Sequence, residues 1–83
     1  MPVEPIAALE VIRFLASGPT SAQIAAFHPS AEASARAYDL IAAERAGSIT
    51  QDERAELEQS VYLEHMMRLI KAEAHLKLQQ QAS

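Results

Sequence analysis

Cysteine is absent from the 83 residues, so neither a disulfide nor a thiolate metal site can stiffen this fold. Glycine occurs only at positions 18 and 47. A loop that cradles phosphate through successive backbone N–H groups therefore cannot be built. Bases are scarce relative to acids, 7 against 11 for a net charge of -4, which argues against a dedicated nucleic-acid binder. Long apolar runs are also missing. The most apolar stretch, 6–16, is too short to span a bilayer and carries Glu10 and Arg13. The basic start and small-residue cleavage pattern of a signal peptide are lacking. The expectation is a cytoplasmic chain without membrane contact.

What is present favours helix. Leu, Ile, Val, Met and Ala are plentiful, which argues against disorder of the whole chain. A chain this short forms one domain, residues 1–83, and its core supplies only roughly 3–5 kcal/mol of net stability. Without disulfides, extra stability must come from a second subunit, another partner or unusually good helix packing.

Local punctuation divides the chain into four helices. The first runs from about Glu4 to Ala16, with Pro5 at a first-turn position that needs no N–H. Ser17-Gly18-Pro19 stops it. The second is short, Thr20 to about Phe27. It opens on a capping box, Thr20 to Gln23, and ends before Pro29, which pushes His28 out of the α region. The third spans Ser30 to Ala46, with Ser30 as N-cap, Glu32 in the first turn and Gly47 as the closing glycine. The fourth opens on a second capping box, Thr50 to Glu53, with Asp52, Glu53 and Glu56 early in it. No Gly or Pro interrupts it from Gln51 to about Gln80. Glu64 with Arg68, and Glu73 with Lys77, are favourably ordered i,i+4 pairs. The tail after Gln79 should fray. The short turn Gly47-Ser48-Ile49 makes helices three and four an antiparallel hairpin over 30–80, preceded by a helical arm over 1–29. The fold class is all-α: a helical hairpin with a long C-terminal helix plus two short N-terminal helices.

Helix three has a single narrow apolar face, Ala33, Ala37, Leu40 and Ile41, with Glu32, Arg36 and Asp39 opposite. The long helix is apolar over most of its circumference. Leu63, Met66, Met67, Ile70, Ala74 and Leu78 form one stripe, and Leu57, Val61, Ala72 and Leu76 a second. Tyr62 and Leu69 bridge the two, and Glu64, Arg68, Lys71 and His75 mark the polar arc. Such a helix is either central in a core or covered by another chain. Helix three is about half as long as helix four, so the overhang beyond Met67 is expected to be under-covered, with the first stripe as the partner-binding surface. The alternative is that helices one and two fold back and cover it.

No catalytic constellation is visible. His28, His65 and His75 are the only histidines, and neither Glu-x-x-His nor His-Glu-x-x-His occurs. No motif sets a serine beside a base. Asp52, Glu53 and Glu56 suit the helix dipole better than acid–base work. No catalytic, cofactor or metal residue is assigned, and no cofactor or small-molecule substrate is expected.

The runs Arg13 to Thr20, Gln23 to Ser30, Glu44 to Glu53 and Leu63 to Ala72 resemble a group of small uncharacterised bacterial helical proteins. Their shared pattern is F-x-P-S, then G-x-[LI]-[TS]-x-x-E, then L-E-H-x-x-R-L-x-K-A. The resemblance covers nearly the whole chain, and its last motif is the most specific. Ile49 stands where Leu is usual, and alanines replace charged residues in helix three. The resemblance implies a binding protein without a cofactor, an antitoxin-like or accessory partner. Leu63, Glu64, His65, Arg68 and Lys71 would carry the group's signature here.

The functional expectation is a non-catalytic protein-interaction module, a homo-oligomer or a partner that masks another protein through its long C-terminal helix. The alternative is a small nucleic-acid-associated regulatory accessory protein, which needs a basic stripe. Arg68, Lys71 and Lys77 offer only a weak one near one end.

Overall fold

The computed structural model describes residues 6–82. Four helices succeed one another: α1 Ile6–Ala16, α2 Ser21–Ala26, α3 Ala31–Ala46 and α4 Gln51–Ala82. They hold 84% of the described residues, among which no strand occurs. The expected helix start at Glu4 and Pro5 lies outside the described residues.

The helix boundaries follow from side chains a few residues away. Thr20 Oγ1 accepts from Gln23 N while Gln23 Oε1 accepts from Thr20 N. Thr50 and Glu53 repeat the same reciprocal pair at the head of α4. Each pair satisfies two N–H groups that a helix start would leave orphaned. Ser30 Oγ accepts from Ala33 N and caps α3. Gly47 ends α3 at φ 73°, where its N–H reaches the Ala43 and Glu44 carbonyls. Gly18 ends α1 at φ 71°. Both positions are left-handed, where a Cβ is unfavourable. Pro29 keeps α2 and α3 apart, and α4 continues through the glutamine run to Ala82.

α4 is the spine. At 1.5 Å per residue its 32 residues reach about 48 Å, most of the 52 Å long dimension of the molecule. α1, α2 and α3 all lie against it, α2 most extensively, and α1 also touches α3. Arg36 pins α3 to α4 through two hydrogen bonds to Glu56, at 2.8 and 2.9 Å. Arg36 thus faces α4, although its register had grouped it with Glu32 and Asp39 on the outer side of helix three. A guanidinium on a long stem reaches round the helix to a carboxylate that matches its fork. Glu64 and Arg68 form the expected i,i+4 pair at 2.7 Å, whereas Glu73 and Lys77 form none among the described residues.

The core is thin. Its buried members among the described residues are Ala8, Ala33, Leu40, Leu57, Met67 and Ala74. Half are alanines, which let helices approach closely but bury little area. Among the described residues only Leu40, at 1% exposure, is a large side chain fully removed from water. The radius of gyration is 15.0 Å, against about 12 Å for a compact chain of this length.

Candidate functional site

α4 presents two apolar faces, and the fold uses one. Met67 is 7% exposed and Ala74 4%, while Leu63, Ile70 and Leu78 are half-buried. Of the stripe expected to meet a partner, only Met66 is exposed. The expected gap beyond Met67 is covered from within the chain: α1 and α2 fold back, and Ser21 and Ile24 of α2 share a small cleft with Met66, Ile70 and Ala74 and, at its outer edge, Leu69, Glu73 and Lys77. Side chains already buried by α1, α2 and α3 have little area left for a partner.

The second stripe faces outward. Tyr62 is 63% exposed, Leu69 53% and Leu76 50%; Val61 and Ala72 are exposed as well. Leu57, grouped with this stripe by its position on the helix, is buried instead. At 100° per residue Leu69 and Leu76 lie about 160° around the helix from Met67 and Ala74. The exposed face is therefore almost opposite the face that folds the chain.

The ties that fix this orientation meet at Phe27. Its ring stacks on Phe14 of α1 with centroids 4.5 Å apart. Its carbonyl, at the C-cap of α2, accepts from Lys71 Nζ at 2.8 Å. Lys71 thereby satisfies a C-terminal carbonyl and places a cation at the negative end of α2. A similar tie joins α1 to α3, where Glu10 accepts from both the backbone N and the hydroxyl of Ser30. That carboxylate sits at the positive end of α3. Sequence reasoning singled out Lys71 but not its acceptor, which is 44 residues away.

Of the signature residues, Leu63 is half-buried and Glu64 is paired with Arg68, while Lys71 anchors α2. His65 is exposed. Arg68 also remains on the surface, its side chain 74% exposed.

An open, largely apolar groove of about 570 Å³ runs between α1, α3 and α4, with Tyr38, Ile41, Leu57 and Val61 along it. Its rim carries the Glu64–Arg68 pair and Lys71. The carboxylates with shifted titration lie at the α3–α4 contact. Glu56 is held below the ordinary carboxylate range by the Arg36 hydrogen bonds. Glu53 is lowered by bonds from the Thr50 backbone and hydroxyl. Both serve helix ends and helix pairing. Among the described residues no three His, Asp or Glu side chains converge as a metal ion would require, and no helix is long and apolar enough to cross a membrane.

No family model matches this chain, nor does any curated protein or solved structure.

Proposed function

We propose that this chain is a non-catalytic protein-interaction module that binds through the outer face of α4. The observation behind this reading is the line Tyr62, Leu69 and Leu76, each at least half exposed and seven residues from the next. Scattered surface leucines need no explanation, but an aligned apolar stripe on a rigid helix is the usual substrate of helix–helix recognition. A cytoplasmic setting fits the acidic balance and the lack of cysteine. The antitoxin-like role rests on the motif resemblance alone.

The nucleic-acid reading has less support. Arg36 is spent on Glu56, Arg54 lies 3.6 Å from Glu44, Arg68 binds Glu64 and Lys71 binds the Phe27 carbonyl. No basic stripe of the kind that follows a phosphate backbone results.

The test is capture of the tagged full chain from its native cell, with mass measurement of whatever accompanies it, beside a Leu69→Glu variant. The reading expects a companion, either another protein or a second copy, that is lost in the variant. A chain that captures nothing, or a companion indifferent to Leu69→Glu, overturns binding through this face.

A further inference from the structure

We propose that the occupant of the outer face is a second copy of this chain, with the two α4 helices paired side by side in parallel. The inference rests on the reading of α4 as a binding surface and names its partner.

The spacing of the exposed residues is that of a coiled-coil seam. Tyr62, Leu69 and Leu76 recur every seven residues, and His65 and Ala72 follow the first two at +3, which fills successive a and d positions. α1 and α3 border this face at the groove that reaches Val61 and Arg68, and α2 borders it at the cleft that reaches Leu69 and Glu73, yet Tyr62, Leu69 and Leu76 stay at least half exposed between them. Glu58, one heptad before His65, ends the apolar seam. In a parallel pair like residues face each other. Leucines meet at 69 and 76, alanines at 72 allow close approach, and two neutral His65 rings can share a hydrogen bond, one donating and one accepting.

The flanking charges select the parallel arrangement. Parallel coiled coils bring each g residue beside the e residue of the partner's following heptad, five positions on. Here that sets Arg68 beside the partner's Glu73, twice across the two-fold axis, and Val61 beside the partner's Met66. Glu73, at the edge of the α2 cleft, has no ion pair within its own chain among the described residues, and the Arg68 side chain, bonded to Glu64 on one side, is 74% exposed and has further donors for a partner. Antiparallel pairing centred near Leu69 sets g against g and e against e. Arg68 then meets Arg68 or His75, and Glu73 meets Met66, with no opposite charge for either.

The surface area is in keeping. The chain exposes 6207 Å², whereas a compact monomer of 9.0 kDa exposes about 4,900 Å². The excess, about 1,300 Å² per chain, is spread over the elongated shape and its open groove as well as the outer face, and a standard stable interface needs roughly 800 Å² from each partner.

Sedimentation and cysteine cross-linking test the proposal, since the natural chain has no cysteine to interfere. The wild type at micromolar concentration should sediment at twice 9.0 kDa, and Leu69→Glu should weaken association at least tenfold while keeping its helical circular dichroism. Tyr62→Cys and Leu76→Cys, made separately, should each form a disulfide-linked dimer under mild oxidation. Antiparallel pairing can bring at most one of these sites to its own copy, because they stand about 21 Å apart along the helix. A dimer that cross-links at one site or neither overturns the parallel arrangement. A dimer indifferent to Leu69→Glu overturns the choice of face. A wild type that stays monomeric at hundreds of micromolar overturns the second copy; if it still captures another protein that Leu69→Glu releases, binding through α4 stands, and if it captures nothing both readings fall.

Discussion

Replacing Met67 and Leu69 by alanine, one at a time, asks directly which side of α4 folds the chain. The two residues are separated by one position and lie about 160° apart around the helix. Met67 is 7% exposed and Leu69 53%. Met67→Ala removes buried atoms and leaves a cavity, a change that costs 2–5 kcal/mol in well-packed cores. The neighbouring groove is open along Met67, so collapse and water entry favour the lower end, about 2–3 kcal/mol. Leu69→Ala forfeits roughly half the burial of a leucine, about 1 kcal/mol or less, and alanine's better helix propensity returns a little. The comparison is made by urea unfolding followed by circular dichroism, at the lowest usable concentration so that association contributes nothing. Met67→Ala should lower the midpoint strongly at an unchanged slope, and Leu69→Ala only slightly. Equal losses, or a larger loss at Leu69, would mean that α4 is docked on the opposite face and would remove the basis for a free outer stripe.

Gly47→Ala should cost about 1–2 kcal/mol. No atom lies within 4 Å of the added Cβ, so the cost is purely that of the left-handed backbone at φ 73°; an unchanged melting temperature would show that the turn relaxes. The acid response follows from Glu56, lowered first by its hydrogen bonds from Arg36, and Glu53, lowered first by the bond its carboxylate accepts from the Thr50 backbone N–H. A carboxylate whose folded pKa lies below its unfolded value stabilises fully above the unfolded value, about 4.3, and loses that contribution as pH falls through the folded one. The melting temperature should therefore drop as pH falls below about 5, and Arg36→Met should flatten the drop; a variant curve parallel to the wild type would refute the assignment. Lys71→Met keeps the stem but removes the donor to the Phe27 carbonyl. It should speed hydrogen exchange at the Ile24 and Phe27 amides while leaving the first turns of α4 protected, and uniform acceleration throughout would mean that Lys71 does not specifically hold α2.

The helix boundaries were legible because their causes are local. Thr20 with Gln23, Ser30 with Ala33, and Thr50 with Glu53 each act over three residues, a distance at which spacing in the sequence determines contact. The long helix was legible for the same reason, as was the presence of two apolar stripes on it. Which stripe turns inward was not. Both stripes contain residues of similar apolarity, and the choice depends on where α2 docks. That docking involves the Phe14–Phe27 stack and the contact of Lys71 with Phe27, 44 residues apart. Arg36 was placed on the outer side of α3 because helical spacing reports where Cβ points, not how far a guanidinium reaches. The motif residues Phe27, Ser30 and Lys71 prove to hold helices together. Of the remaining motif positions Glu64, His65 and Arg68 have exposed side chains, the last two beside the outer stripe.

Opposed faces on one helix separate folding from binding. Met67 and Ala74 on one side, together with Leu40 from α3 and Ala8 from α1, are buried, while Tyr62, Leu69 and Leu76 stay at least half exposed. α4 is therefore already a helix, packed against α1, α2 and α3, before anything reaches its outer side. A surface presented this way pays no backbone-ordering entropy on association, only the immobilisation of a few side chains. The same rigidity limits what can bind. A preformed stripe of about two heptads accepts a straight helix of matching periodicity and little else. The partner supplied most readily by such a chain is its own α4, because a two-fold pairing is self-complementary once Arg68 and Glu73 fall at positions that face each other. In a chain whose core buries so little, burying that stripe in a dimer would also add to stability by mass action, so the fold would be firmest where the chain is most abundant.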